Sequence, residues 1–122
     1  MYPRLLKSAG AIPFIISSVP PSYLAIETFS KIYGRTKNPF NTSRTSGGSS
    51  GGEAVLLAIG CSPMGLGNDI GGSIRIPAAM TGVCGMKGTA ERLGFEGVFF
   101  GKEKKNNIIS AYHLISLLTL SF

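Results

Sequence analysis

The chain has 122 residues, room for one domain at most, and 43% hydrophobic against 15% charged residues excludes a disordered polyelectrolyte. Its net charge of +6 comes from 12 lysines and arginines scattered along the sequence, with only Lys102, Lys104 and Lys105 bunched, so the clustered basic face of a nucleic-acid binder is missing. The start, MYPRLLKSAG, lacks the apolar run of a secretory signal, and no stretch reaches the ~18–20 apolar residues of a membrane span.

In chain order, Pro3 to Ala9 reads as the end of a helix, with proline near its start and Gly10 as its stop. Ala11 to Ile16 is a short apolar run suited to a buried strand, broken by Pro20 and Pro21. Tyr23 to Ile32 is expected to form one or two helical turns carrying Leu24, Phe29 and Ile32. Tyr33 to Gly48 is a polar loop. Glu53 to Gly60 follows a Gly/Ser loop and reads as a short buried helix, with Ser49 or Ser50 as its cap and Gly60 as its end. Ser62 to Gly67 is a strand or extended piece, Ile76 to Cys84 a helical turn or two, and Cys84 to Lys87 another strand. Cys61 and Cys84 are too few for a disulfide scaffold, form no CxxC pair and are expected as buried free thiols. Residues 1–89 are read as domain material and 90–122 as a divergent tail of doubtful structure.

Several short motifs fail on inspection. Gly47-Gly48-Ser49-Ser50-Gly51 fits the G-x-S-x-G pattern, but polar residues precede it instead of a buried strand, and the one histidine, His113, lies in the tail. Met86 and Gly88 spoil a phosphate loop around Lys87, and Ile70 spoils a dinucleotide fingerprint. No cluster has metal-ligand spacing, so no metal and no cofactor are expected.

What remains is a pair of glycine-embedded serine turns, with Ser49 and Ser73 separated by 24 residues. In Asp69-Ile70-Gly71-Gly72-Ser73-Ile74-Arg75 the two glycines let successive N–H groups point into one concavity, which favours an anion. If Ser73 attacks a carbonyl, those amides lie where the oxygen turns negative. Asp69 and Arg75 flank the turn and are placed to pin it. A glycine-rich turn without chemistry is the commoner outcome of such a composition. A serine nucleophile needs a base, and without a usable histidine the alternative is a buried neutral lysine, with a second serine relaying the proton.

The run GRTKNPFNTSRTSGGSSGGEAVLLAIGCSPMGLGNDIGGSIRIPAAMTGVCGMKGT resembles the signature region of the amidase signature family of serine hydrolases. KIYGRTKNP, GGEA and DIGGSIRIP give it the flavour of the fatty-acid amide hydrolase branch, especially its second type, from about Leu5 to Thr89. The resemblance implies an α/β fold with a mixed central sheet covered by helices, and a Ser–cis-Ser–Lys triad. By motif, Ser73 matches the nucleophile and Ser49 the bridging serine, whose peptide bond is cis. Ile70, Gly71, Gly72 and Ser73 match the oxyanion hole, and Ser50, Asp69 and Arg75 are supporting residues.

The departures are as informative. The family's catalytic lysine lies well upstream of GGSSGG, and none of Lys7, Lys31, Lys37 or Lys87 stands in its motif. Lys87 instead matches a later structural lysine, with Gly88 in place of the family's proline. Ser17 to Ser22 departs too, and from Ala90 the match fades. The resemblance therefore implies a partial chain. The intact parent is expected to hydrolyse lipid amides through an acyl-enzyme, with a small-molecule amide as its partner and no nucleic acid. Homo-oligomer formation or membrane association belongs to the parent if to anything, and localisation stays open. The chain itself is expected to be inactive for want of the lysine. The alternative is a non-catalytic binding or regulatory piece, or the product of an incomplete gene.

Overall fold

The computed structural model of the chain describes residues 2–89 and 114–118. Helix α1 (Tyr2–Ser8) carries proline in its first turn, where the missing N–H costs nothing, and closes through Gly10 N–H on the Lys7 carbonyl at 3.0 Å. The apolar run 11–16 then crosses the surface without pairing, against the expectation of a buried strand. Ile12 is 83% exposed and Ile16 99%. A strand needs a partner for its backbone groups, and no described strand lies alongside this one.

A single 3-10 turn (Pro21–Tyr23) follows. The helix expected over Tyr23–Ile32 is replaced by a two-stranded ribbon, β1 (Phe29–Ser30) antiparallel to β2 (Gly34–Arg35). The reason lies just upstream of β1. Thr28 N–H donates to the Gly47 carbonyl at 3.1 Å, and Thr28 O accepts from Thr36 N–H at 2.8 Å, so its backbone groups are committed to distant residues instead of an i,i+4 ladder. The ribbon extends into an arm that returns to the molecule through Ser46 N–H on the Thr36 carbonyl.

Helix α2 (Gly51–Ala58) has Glu53 in its first turn, where a carboxylate suits the positive end of the helix. Ala54 and Leu57, three residues apart on one face, are completely buried. Helix α3 (Arg75–Thr81) buries Pro77, Ala78 and Thr81, and Gly82 ends it in the left-handed region. Ala54, Leu57, Ile74 and Ala78 form the core, with Val83 packed against it. Alongside runs an antiparallel sheet in which β5 (Leu114–Leu118) lies between β3 (Met64–Asn68) and β4 (Cys84–Gly85). A piece of the stretch read as a tail thus supplies the middle strand, and the rest of residues 90–122 lies outside the described residues. The architecture is α/β, and every strand pairing among the described residues is antiparallel. Cys61 and Cys84 are both free and exposed, not buried, because one follows the end of α2 and the other starts the short strand β4.

Candidate active site

The loop that enters α2 is buried at every residue from Ser46 to Gly52, although none of the seven has a large side chain. Close backbone approach explains it. A Cβ on Gly48 would stand 2.8 Å from the Glu27 carbonyl carbon, so only glycine fits beneath the arm. Hydrogen bonds then satisfy the buried polar groups. Ser46 Oγ donates to the Thr36 carbonyl at 2.9 Å. Thr28 Oγ1 accepts from Gly51 N–H at 3.0 Å and lies 2.9 Å from the Gly47 carbonyl and 3.2 Å from that of Ser49. The Gly48–Ser49 peptide bond is cis. Ser50 occupies the cap position of α2 without a side-chain capping bond. Ser49 is 1% exposed, and its Oγ meets no hydrogen-bond partner among the described residues. An unpaired buried hydroxyl costs about 1–3 kcal/mol, so its presence calls for a reason.

The second turn is organised around one carboxylate. Asp69 is completely buried. Its Oδ1 accepts from Gly72 N–H at 2.8 Å and from Arg75 Nη2 at 2.8 Å. Its Oδ2 accepts from the N–H groups of Ile74 and Arg75, each at 3.1 Å, and from Arg75 Nε at 3.0 Å. Burial alone raises the Asp69 pKa. The Arg75 guanidinium and the amides of Arg75, Ile74 and Gly72 outweigh it and bring the carboxyl down to about 2. The same pairing raises Arg75. Gly72 bends the turn with φ at +127°, a conformation open to glycine.

The two turns meet. Ser50 N–H donates to the Ser73 carbonyl at 3.0 Å, and the Ser50 side chain lies against Gly67 of β3, where a Cβ would come within 2.6 Å of its Oγ. Ser49, Ser50, Ser73, Asp69 and Arg75 therefore belong to one cluster at the entries of α2 and α3. One expected member of the anion cradle is otherwise engaged, since Gly72 N–H already serves Asp69. The amides of Ile70, Gly71 and Ser73 donate to no acceptor among the described residues, which leaves three N–H groups around the Ser73 turn. Ser73 itself is half-buried.

No three histidines, cysteines or acids gather among the described residues. A separate apolar groove of about 490 Å³ lies elsewhere, lined by residues such as Phe14, Ile16, Met64 and Leu66, with Ser17 and Glu53 at its polar edge. Ser17 Oγ donates to Glu53 Oε2 at 2.6 Å. Neither serine turn lines this groove. The residue that sequence reasoning missed is Thr28. A threonine between Glu27 and Phe29 gives no signal of its own, because its partners lie 19 to 23 residues downstream.

A family model described as Amidase matches residues 3–111. The chain belongs to the amidase signature family. The match runs past Thr89, where the resemblance was read to fade. Fatty-acid amide hydrolase 1 of Sus scrofa is 46% identical over 102 residues, which cover 81% of this chain and 18% of that protein. Fatty-acid amide hydrolase 2 of Homo sapiens is 51% identical over 83 residues, covering 68% of this chain and 16% of that one. The solved structure of 6-aminohexanoate cyclic dimer hydrolase complexed with substrate superposes with a TM-score of 0.85 at 31% identity, over 95% of this chain and 23% of that one. This amidase-family chain thus spans about a fifth of the length of the relatives it matches.

Proposed function

We propose that Ser73 is the nucleophile of a serine amidase and that Ser49 relays its proton. Ser73 Oγ attacks the amide carbon. Its proton passes to Ser49 Oγ, whose own proton passes on to a base. The amides of Ile70, Gly71 and Ser73 hold the oxyanion. Collapse expels the amine, protonated along the same route, and leaves an acyl-serine that water releases as the acid. Asp69 and Arg75 hold the turn, and Ser50 ties the two loops. The substrate class is a small-molecule amide, lipid in character by analogy with the fatty-acid amide hydrolases.

One observation supports the reading above the rest. The buried Ser49 hydroxyl has no hydrogen-bond partner among the described residues while sitting one residue from the Ser50–Ser73 hydrogen bond. A relay serine needs an acceptor, and by resemblance that acceptor is a lysine. None of Lys7, Lys31, Lys37 or Lys87 hydrogen-bonds Ser49. A chain in which Ser49 has no such acceptor is expected to be inactive, since losing one member of such a unit costs roughly 10⁴-fold or more. The second reading, a non-catalytic piece that binds another polypeptide, is favoured by the exposed apolar residues Ile12, Phe14 and Ile16.

The test is a chimera carrying residues 3–111 in place of the matching stretch of the Sus scrofa relative. We expect amide hydrolysis and fluorophosphonate labelling at Ser73, both abolished by Ser73→Ala, and turnover reduced by about 10³-fold or more in Ser49→Ala. A chimera that hydrolyses equally well with Ser73→Ala overturns the assignment. Efficient labelling of the isolated 122-residue chain overturns the inactivity.

A further inference from the structure

We propose that Thr28 is a positioning residue for Ser49, an inference that rests on the relay reading above. Thr28 is 1% exposed and lies 21 residues before Ser49, outside both serine turns. Its hydroxyl touches three consecutive parts of the loop: the carbonyl before the Gly48–Ser49 peptide, the carbonyl of Ser49 itself, and the first amide of α2.

A hydroxyl has one hydrogen and two lone pairs. The N–H of Gly51 takes a lone pair, so the hydrogen is shared between the carbonyls of Gly47 and Ser49. Those two carbonyls flank Gly48 and Ser49, and anchoring both fixes the direction of the Cα–Cβ bond of Ser49. The anchor is itself stiff. Threonine is β-branched and restricted in χ1. Thr28 N–H is bonded to Gly47 O at 3.1 Å and Thr28 O to Thr36 N–H at 2.8 Å, so the backbone carrying the hydroxyl is held on both sides. The neighbouring Glu27 backbone lies close against Gly48 from the same side. Gly51 packs on Thr28 Oγ1 and Ser46 Oγ without room for a side chain.

The arm that carries Thr28 is therefore a clamp. It holds the relay serine in one geometry even though that serine's own hydroxyl makes no bond among the described residues. Without the clamp, no hydrogen bond of the Ser49 side chain among the described residues would hold that geometry.

The experiment uses the full 122-residue chain in four forms: unaltered, Thr28→Ser, Thr28→Cys and Thr28→Val. Amide hydrogen exchange is read at Gly51 and at Leu57 inside α2, and the Ser49 Cβ chemical shift is read by NMR. In Thr28→Val, which keeps the shape and loses the hydroxyl, Gly51 exchange is expected to rise about tenfold and the Ser49 Cβ shift to move, with Leu57 within about twofold of the unaltered chain. Thr28→Ser is expected to restore both signals. If Thr28→Val fails to fold, the comparison of Ser with Cys decides, because a thiol is the weaker donor and is expected to protect Gly51 less. A folded Thr28→Val with unchanged Gly51 exchange and Ser49 shift overturns the proposal, as does equal protection by Ser and Cys. These signals need no catalysis. A failed relay shows instead as an active Ser49→Ala chimera, so the two failures are distinguishable.

Discussion

Two short segments of this chain reverse the usual relation between hydropathy and burial. Ser46–Gly52 holds serines and glycines and is buried throughout. Residues 12–16, mostly large and apolar, are exposed. The difference teaches that backbone partners, not side-chain oiliness, decide burial here. The serine loop is enclosed because its glycines admit the Glu27 backbone and because Thr28, Thr36 and Ser73 supply hydrogen bonds to it. Among the described residues the apolar run is tethered by its backbone only at its ends, through Ala11 N–H on the Leu6 carbonyl at 2.9 Å and, just beyond it, Gly52 N–H on the Ser18 carbonyl at 3.2 Å.

The largest effect that sharpens this comparison is expected at Asp69. Asp69→Asn keeps the size of the side chain but places an NH₂ group against N–H donors from Ile74, Arg75 and the guanidinium. Breaking a buried pair costs about 3–5 kcal/mol, and because Arg75 remains half-exposed the loss here is expected at the low end, about 3 kcal/mol. Urea unfolding of the two forms measures it. A loss below about 0.5 kcal/mol, the size of an ordinary surface substitution, would show that the second turn holds itself without its carboxylate.

That turn also shows how far the sequence carried. The pairing of Asp69 with Arg75 and the helix after GGSSGG follow from local chemistry: a charge pair six residues apart and a run of helix formers. The helical turns expected over Ile76 to Cys84 instead run Arg75–Thr81 and end at the left-handed Gly82. The family motif pointed to a meeting of Ser49 with Ser73; the contact found between the two turns is a backbone one, from Ser50 N–H to the Ser73 carbonyl. Thr28 was not legible, because its spacing from Leu24 and Ile32 fits a helix and only long-range hydrogen bonds overrule it. Ala11–Ile16 misled for the opposite reason. Its composition asks for a strand, but a strand requires a partner that no local pattern can reveal. The engagement of Gly72 N–H by Asp69 was hidden too, since two glycines before a serine say nothing about which amide turns inward.

A smaller effect is expected from acid. The Asp69 carboxyl sits at about 2 in the folded chain, below its ordinary value of 3.8. The folded state therefore holds the ionised form more tightly than the unfolded state does. That stability is fully present above the ordinary value and is lost as pH falls from about 4 through about 2. The loss is on the order of 2 kcal/mol, measured as the fall in unfolding free energy of the unaltered chain minus that of Asp69→Asn. Equal slopes in the two forms would mean that other carboxylates carry the acid sensitivity.

The smallest effect on stability, and the one that tests the other side of the comparison, is expected at Ile16. Its side chain is 99% exposed, so Ile16→Ser removes almost no buried area. Unfolding free energy is expected to stay within about 0.5 kcal/mol. The same substitution is expected to change self-association, because Ile16 lines the apolar groove together with Ile12 and Phe14, and contiguous apolar patches favour contact between copies. Sedimentation at several concentrations reads this second signal: a lower average mass for Ile16→Ser at unchanged stability. A destabilisation of 2 kcal/mol or more would place Ile16 among the buried residues in solution, at the magnitude of a core truncation. The segment 11–16 would then be enclosed like the serine loop, and the contrast between the two segments would vanish.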